Sequence, residues 1–337
     1  MKPEFSIIIP TRNSMGIIDR LIEAIENQDF EFSYEVIFLV TESTDGTEEF
    51  LRKTSFKHKK IISIPAVEFS HSSTRMLGVE NARGNQVIFF TEDIIPIGRN
   101  FLSELTSAVI NKEAAAAYGV YQTDPQQADP LQAYLNNHWY LSYPDLVPSI
   151  SPTEWESMPG MKKRLLCNFD NCASCIDRKT LLELRLPDVP YGEDMFFAKR
   201  ILLNNKRIAL AKKAKFYHWH NMSFGYFLKR MCLDQHLSQK EFGVVYIKNK
   251  LSMIWSIKIR ILHRILITLF FLPIPFQKKL YWIKYHAKIL TADFLGKYIG
   301  KLTENENLKT FNPINRRLYR FKQNILAEIS EKSIPRY

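Results

Sequence analysis

Gln86-Val87-Ile88-Phe89-Phe90-Thr91-Glu92-Asp93 is an uncharged, mostly apolar run that ends in two adjacent acids. Such a run predicts a short buried strand. In an α/β protein, ligands bind in the crevice at the carboxyl ends of the strands. Asp93 is therefore a candidate ligand of a metal ion or a substrate, and the alternative is that both acids are exposed in a loop before Pro96.

The segments before this strand alternate between strand and helix patterns. Phe5 to Pro10 and Tyr34 to Val40 are apolar and rich in β-branched residues, and Gly16 to Asn27 between them has apolar residues at helical spacing. Lys60 to Ile64 and Ser72 to Asn81 repeat this order. The alternation predicts an α/β fold, with a mostly parallel, doubly wound sheet and helices on both faces.

The chain after Asp93 contains further elements and one long irregular segment. Phe101 to Asn111 predicts a helix and Ala114 to Tyr121 a strand, whereas residues 122–165 have weak periodicity and favour a functional insertion. A strong helix is predicted from Gly192. The aromatic segment Phe216-Tyr217-His218-Trp219-His220 is strand-like, so both histidine rings are expected on the same face.

The length and composition are those of a globular protein with a full-sized core, at 337 residues with 46% hydrophobic and 24% charged residues. The net charge of +11 is unevenly distributed: residues 1–198 carry a net −10 and residues 199–337 a net +21. A basic half of this kind suits nucleic acid, an anionic membrane or an acidic substrate.

One apolar run in the basic half has a membrane interpretation. Ile265 to Phe276 is broken by Pro273 and Pro275 and is shorter than the roughly 20 residues that span a bilayer. Lysines and arginines flank it, which favours a helix lying in a membrane interface. The alternative is a C-terminal helical subdomain packed on the core.

The cysteines and the start of the chain favour the cytoplasm. Met1 to Phe5 leads directly into the first strand, without the apolar core of a secretory signal. The four cysteines form no evenly spaced disulfide framework, which is typical of a reducing compartment. Cys172 and Cys175 have the spacing of a zinc site but no second ligand pair, so buried thiols are the favoured interpretation.

Polar side chains that follow the first two strands are candidate ligands of a nucleotide. Pro10, Thr11 and Arg12 end the first strand, where such groups can hold a base or a phosphate. Ser43 to Thr47, which includes Asp45, follows the second strand. Taken alone, this segment is better explained as a turn with a helix N-cap.

Two further pairs of residues have both a structural and a chemical interpretation. Glu193 and Asp194 lie in the first turn of a predicted helix, where acids stabilise the macrodipole and where a general base is equally well presented. His218 and His220 can bind a metal ion together with a carboxylate, or they are ordinary polar side chains whose hydrogen bonds are satisfied.

These motifs occur in the order found in family 2 glycosyltransferases of the GT-A fold. The chain resembles the rhamnosyltransferase-like branch of bacterial O-antigen and capsule-type polysaccharide synthesis over about residues 4–240. Ser6 to Asn13 is similar to the family's first strand and nucleotide-binding loop, and Ser43 to Thr47 to its S-T-D-G-T segment. Phe69 to Arg75 is similar to the F-x-H-x-x-T-R run of that branch.

The resemblance implies a role for each candidate residue. Asp93, at the D-x-D position, is expected to bind Mg²⁺ or Mn²⁺, and His218 or His220 to complete that site. Asp194 of the Glu193-Asp194 pair is the expected catalytic base. Glu42 stands near the position of an acid that, in the family, usually contacts the base of the nucleotide. The predicted nucleotide-sugar-binding residues are Pro10, Thr11, Arg12, Glu42, Asp45, His71, Arg75, Thr91 and Glu92.

The resemblance also implies an activity. It is that of an inverting, metal-dependent hexosyltransferase that moves a sugar, such as the deoxysugar rhamnose, from a dTDP- or UDP-sugar to a hydroxyl of a glycan acceptor on a lipid diphosphate. Residues 1–240 would form the GT-A domain, with a nucleotide-sugar half at 1–121 and an acceptor and catalytic half at 122–240. Residues 241–337 would hold it at the inner face of the cytoplasmic membrane.

The sequence leaves three alternative functions open. A sugar-nucleotide nucleotidyltransferase would need a glycine-rich loop after the first strand, but Thr11 to Gly16 contains only one glycine. A nucleic-acid-binding protein fits the basic half, although its lysines are interleaved with apolar runs, so no nucleic-acid partner is expected. The third alternative is a glycan-binding homologue without catalytic activity.

Overall fold

The computed structural model describes residues 2–56, 58–189, 191–303 and 313–331. Its chain forms two compact units. The sheet unit comprises Met1–Thr123, Asn136–Met158 and Leu166–Trp219, and the helical unit comprises Asp124–Leu135, Pro159–Leu165 and His220–Tyr337. The division into domains at residue 240 stays a prediction.

The strands of the sheet unit form one mixed sheet. Their bounds are β1 Phe5–Thr11, β2 Tyr34–Thr41, β3 Lys59–Ile64, β4 Gln86–Phe90, β5 Ile95–Pro96, β6 Ala116–Gln122, β7 Leu146–Val147, β8 Ala173–Asp177 and β9 Ile208–Tyr217. The order is β3-β2-β1-β4-β8-β6-β9-β5, and β7 pairs with β9. β1 to β4 are parallel, as the alternating pattern predicts, whereas β8 runs antiparallel to both β4 and β6.

The helices lie mostly where helical spacing predicts them. Their bounds are α1 Ile18–Glu26, α2 Thr47–Lys53, α3 His71–Asn81, α4 Phe101–Ile110, α5 Pro130–Asn136, α6 Pro152–Ser157, α7 Gly160–Leu166, α8 Arg178–Leu184, α9 Glu193–Leu203, α10 Phe224–Phe242, α11 Lys250–Phe270, α12 Phe276–Gly300 and α13 Pro313–Glu331. The irregular segment 122–165 thus holds α5, α6, α7 and β7, which are too short for periodicity to reveal.

β1 lies at the centre of the sheet unit's core. All seven of its residues are buried, which is typical of a parallel strand covered on both faces. Gly78 lets α3 pack directly on this strand, since a Cβ at that position would lie 2.5 Å from Ile8 Cγ2. This close packing holds α3, which carries Arg75, against β1.

Two glycines set the packing of the helical unit. Gly296 and Gly300 lie four residues apart on α12, and hence on one face of it. A Cβ at Gly296 would lie 2.6 Å from the carbonyl oxygen of Leu228 in α10. The buried ammonium of Lys322 then donates hydrogen bonds of 2.6 and 2.7 Å to the carbonyls of Gly300 and Leu302, which satisfies the end of α12.

The apolar run Ile265 to Phe276 does not form one helix. α11 ends at Phe270, Pro273 and Pro275 occupy the following turn, and α12 begins at Phe276. Proline in a helix interior removes a backbone hydrogen bond, so the break falls at these residues. Within the described residues, no helix is both long enough and apolar enough to cross a membrane.

Candidate active site

Asp93 follows β4 in a loop that is held by backbone hydrogen bonds before and after this residue. Before it, the backbone N–H of Thr91 donates to the carbonyl of Cys172 at 3.0 Å. After it, β5 pairs antiparallel with β9, with Ile95 opposite Tyr217. This pairing brings Asp93 to the residue that follows β9, and Asp93 Oδ1 lies 3.4 Å from His218 Nε2.

Asp93, His218 and His220 form a candidate metal centre. One ligand atom from each residue lies within 4.8 Å of the other two. His220 is two residues from His218 in the chain. β9 ends at Tyr217, so both histidines lie after the strand and not on it as predicted. A carboxylate with two imidazoles fits a divalent cation, and suits Mn²⁺ better than the oxygen-preferring Mg²⁺.

Arg75 and Glu193 form a buried ion pair between α3 and α9. Their side chains are only 4% and 9% exposed, and Arg75 Nη1 lies 2.9 Å from Glu193 Oε1. The same Nη1 donates to the carbonyl of His71 at 3.2 Å. Arg75 was predicted to bind the donor and Glu193 to act in catalysis. Both roles stay predictions, and the ion pair links the first turn of α9 to α3.

Arg75→Met is expected to destabilise the protein by about 3–5 kcal/mol, because it leaves the Glu193 carboxylate buried without its partner. The double variant Arg75→Met/Glu193→Gln should recover most of this loss, since it also removes the unpaired charge. Urea denaturation of the three proteins measures the difference.

The matched control is Arg99→Met, because Arg99 forms a 2.7 Å ion pair with Asp29 at the surface, where both side chains are more than half exposed. Loss of an exposed pair is expected to change the unfolding midpoint little. Equal effects of Arg75→Met and Arg99→Met would contradict the structural role of the Arg75 pair.

Asp194 is the second residue of α9 and lies in the first turn of this helix. Its Oδ1 accepts a hydrogen bond of 2.7 Å from the backbone N–H of Met195. Burial, followed by repulsion from Glu193 and Asp170, raises the pKa of Asp194 to about 8, against the opposing effects of Met195 and Arg75. A carboxyl group with such a pKa can act as a general base near neutral pH.

Asp170 is a site residue that the sequence patterns did not reveal. The register of β4 and β8 pairs Phe90 with Ala173, so the residues before β8 lie beside those after β4. Asp170 Oδ1 accepts a hydrogen bond of 2.8 Å from the backbone N–H of Cys172, and its charge contributes to the raised pKa of Asp194. The one signal in the sequence is that Asp170 is an acid three residues before the apolar start of β8 at Ala173.

The loops after β1 and β2 are tied together by Asp45. Its Oδ2 accepts from the backbone N–H of Met15 at 2.9 Å, and its Oδ1 from that of Thr47 at 3.0 Å. Burial raises the pKa of Asp45, but the hydrogen bonds from Thr47 and Met15 outweigh it and hold the pKa below its usual value. Asp45 therefore closes the turn before α2, as the turn interpretation predicts, and holds the loop after β1. It is not the N-cap of α2: that residue is Gly46, and no side chain caps the helix there.

The other predicted donor-binding residues differ in exposure. Pro10, Thr11 and Thr91 are buried, His71 and Glu92 are partly buried, and Arg12 and Glu42 are exposed. All seven lie in the sheet unit, at or just after the carboxyl ends of β1, β2 and β4 or at the N-terminal region of α3. Their contact with a donor stays a prediction.

The family model described as "Glycosyl transferase family 2" matches residues 6–181, which is more than half of the chain. The chain belongs to glycosyl transferase family 2. The match begins in β1 and ends within α8, so it includes Asp93, Arg75 and Asp170.

This family 2 glycosyltransferase has curated relatives in polysaccharide synthesis. It is 28% identical over 225 residues to the O-antigen chain rhamnosyltransferase WbaN of Salmonella anatum. The aligned segment covers 65% of this chain and 67% of WbaN. It is 26% identical over 223 residues to the O-antigen chain rhamnosyltransferase RfbN of Salmonella typhimurium, with the same two coverages.

Solved structures confirm the predicted GT-A fold. Staphylococcus aureus TarS 1–349 in complex with UDP-GlcNAc matches 98% of this chain and 82% of its own, with a TM-score of 0.52 at 16% identity. The mannosyltransferase PcManGT of Pyrobaculum calidifontis, in complex with GDP-Man and Mn²⁺, matches 98% of this chain and 86% of its own, with a TM-score of 0.52 at 15% identity.

Proposed function

We propose that this glycosyltransferase moves a sugar from a nucleotide-sugar donor to a hydroxyl of a glycan acceptor, with inversion at the anomeric carbon. The observation that carries the proposal is Asp194, held in the first turn of α9 beside the buried Arg75–Glu193 pair, with its pKa raised to about 8. Such a group can remove the proton of an attacking hydroxyl. A single displacement inverts the anomeric carbon and needs no nucleophile from the protein.

The other residues divide the remaining tasks. Asp93, His218 and His220 would hold a divalent cation, which supplies electrostatic stabilisation of the charge on the departing diphosphate. The loop residues Pro10, Thr11 and Arg12, with Asp45 bracing them, would hold the nucleoside. Arg75 and Glu193 act as positioning residues, because they orient the turn that presents Asp194.

The donor and acceptor are proposed from the names of the relatives. Two are O-antigen chain rhamnosyltransferases, which favours a dTDP-deoxysugar such as dTDP-rhamnose, with a UDP-sugar as the second choice. The acceptor would be a growing glycan on a lipid diphosphate. The enzyme would then work in the cytoplasm, at the inner face of the cytoplasmic membrane.

A panel of dTDP-, UDP- and GDP-sugars, each with Mn²⁺ or Mg²⁺, tests the proposal by thermal shift and by release of nucleoside diphosphate. The correct donor at about 100 times its Kd should raise Tm by roughly 5 °C. With an active acceptor, NMR of the product should show the anomeric configuration opposite to that of the donor. Retention of configuration, or no stabilisation by any donor, would contradict the proposal.

Asp170→Asn is expected to move the acidic limb of the kcat/KM profile to lower pH. Asp194 is active when deprotonated, so activity should rise with pH through its pKa of about 8. Removing the charge of Asp170 removes one cause of the raised pKa, so Asp194 should lose its proton at a lower pH. Profiles between about pH 5 and pH 10 measure the shift.

The control for this shift is Asp19→Asn, which removes an exposed acid from α1. Its acidic limb should coincide with that of the wild type. If Asp170→Asn lowers activity by the same factor at every pH, then Asp170 does not act on the protonation of Asp194.

A further inference from the structure

The outward face of α11 is apolar. Leu251, Trp255, Ile259, Leu262, Leu266 and Phe270, together called the outer stripe, are between 45% and 75% exposed. Their spacings of four, four, three, four and four residues place them along one side of the helix. Met253 and Ile267, on the opposite side, are buried.

The outer stripe continues past the end of α11. Phe271 in the turn, and Phe276 and Tyr281 in the first turns of α12, are each more than half exposed. Single exposed apolar residues are common on protein surfaces, but an apolar face along a 21-residue helix and into the next one is typical of an interaction site.

The charges beside the outer stripe indicate what covers it. Residues 242–292 contain nine Lys and Arg residues and neither Asp nor Glu. Lys258 and Lys278 are exposed, and Lys258 Nζ lies 5.9 Å from the centre of the Trp255 ring. A second copy of this surface would bring like charges together, whereas an anionic lipid surface complements both the lysines and the apolar side chains.

We propose that the outer stripe binds the surface of an anionic bilayer, with α11 lying in the interface and Trp255, Leu262 and Phe270 buried below the headgroups. The binding surface begins at Leu251, well before the apolar run at Ile265 that the sequence singles out. This inference adds a specific surface to the membrane location in the proposed function, and its test requires no catalysis.

The test is flotation of the full-length protein with vesicles of phosphatidylcholine containing about one third phosphatidylglycerol, at low and high salt. The triple variant Trp255→Ser/Leu262→Ser/Phe270→Ser should bind these vesicles on the order of 100-fold more weakly than the wild type. The double variant Lys258→Glu/Lys278→Glu should bind the vesicles more weakly than the wild type by a factor of roughly 30 or more. This difference in binding should become smaller at high salt. All substituted residues are exposed, so circular dichroism should show unchanged folding.

The matched control replaces three exposed apolar residues outside the stripe, as Val67→Ser/Leu141→Ser/Met161→Ser, and should bind like the wild type. Failure of the wild type to bind the anionic vesicles, or equal losses in the stripe and control variants, overturns the proposal. Sedimentation velocity provides a further decisive result: a dimer abolished by the stripe variant, with vesicle binding unchanged, would assign the surface to a second copy. Donor stabilisation of the same variants reports on the proposed function independently.

Discussion

Asp194→Asn is expected to lower kcat by on the order of 1,000-fold, because the variant keeps the size of the side chain but cannot take a proton from the acceptor. The asparagine oxygen can still accept the hydrogen bond that Met195 donates to Asp194 Oδ1, so the turn should keep its shape. The KM for the donor should change little, since Asp194 is proposed to act on the acceptor hydroxyl in the transition state. Steady-state kinetics with donor and acceptor varied separately measure both effects.

Stability should change in the opposite direction to activity. A carboxyl group whose pKa is raised from 3.8 to about 8 on folding binds a proton in the folded state that the unfolded chain has released. The wild type therefore loses stability as the pH rises through this range, and the asparagine variant does not. At pH 8 the Tm of Asp194→Asn should equal or exceed that of the wild type. A variant that retained more than a tenth of the wild-type kcat would show that another group is the base.

The sheet's first half is predictable from the sequence because each of its signals is local. The apolar runs that became β1 and β2 differ from the observed strands by one residue at the carboxyl end, and the helix between them was recognised from apolar residues at helical spacing. The acids after β4 were likewise recognised because a strand's carboxyl end is visible in the chain itself.

The contacts that complete the site are not local, and no pattern in the chain contains them. Arg75 and Glu193 are 118 residues apart and meet through the packing of α3 and α9. Asp170 reaches the site because β8 inserts antiparallel beside β4, a pairing that alternation of strands and helices does not predict. The family resemblance supplied the role of Asp194, but only the three-dimensional structure shows which charges raise its pKa.

Asp93→Asn is expected to abolish the stimulation of activity by Mn²⁺ and to lower kcat/KM by on the order of 1,000-fold, since a carboxylate is a much better ligand of a divalent cation than an amide. The neighbouring His218 and His220 would remain, so weak binding of the ion is expected to persist. Titration of Mn²⁺ by electron paramagnetic resonance, with the nucleoside diphosphate present, measures binding separately from turnover.

Glu92→Gln is the matched control, because it removes the adjacent acid of the same loop. A cation that also binds diphosphate oxygens needs only one or two carboxylates, so this variant should lose less than about tenfold in activity. His218→Ala should be intermediate, because His218 Nε2 lies 3.4 Å from Asp93 Oδ1 and belongs to the same group of ligands. If Asp93→Asn kept its dependence on Mn²⁺ while Glu92→Gln lost it, the metal would be assigned to Glu92. The proposed roles, with Asp93 as the metal ligand and Asp194 as the base, would then be wrong for Asp93.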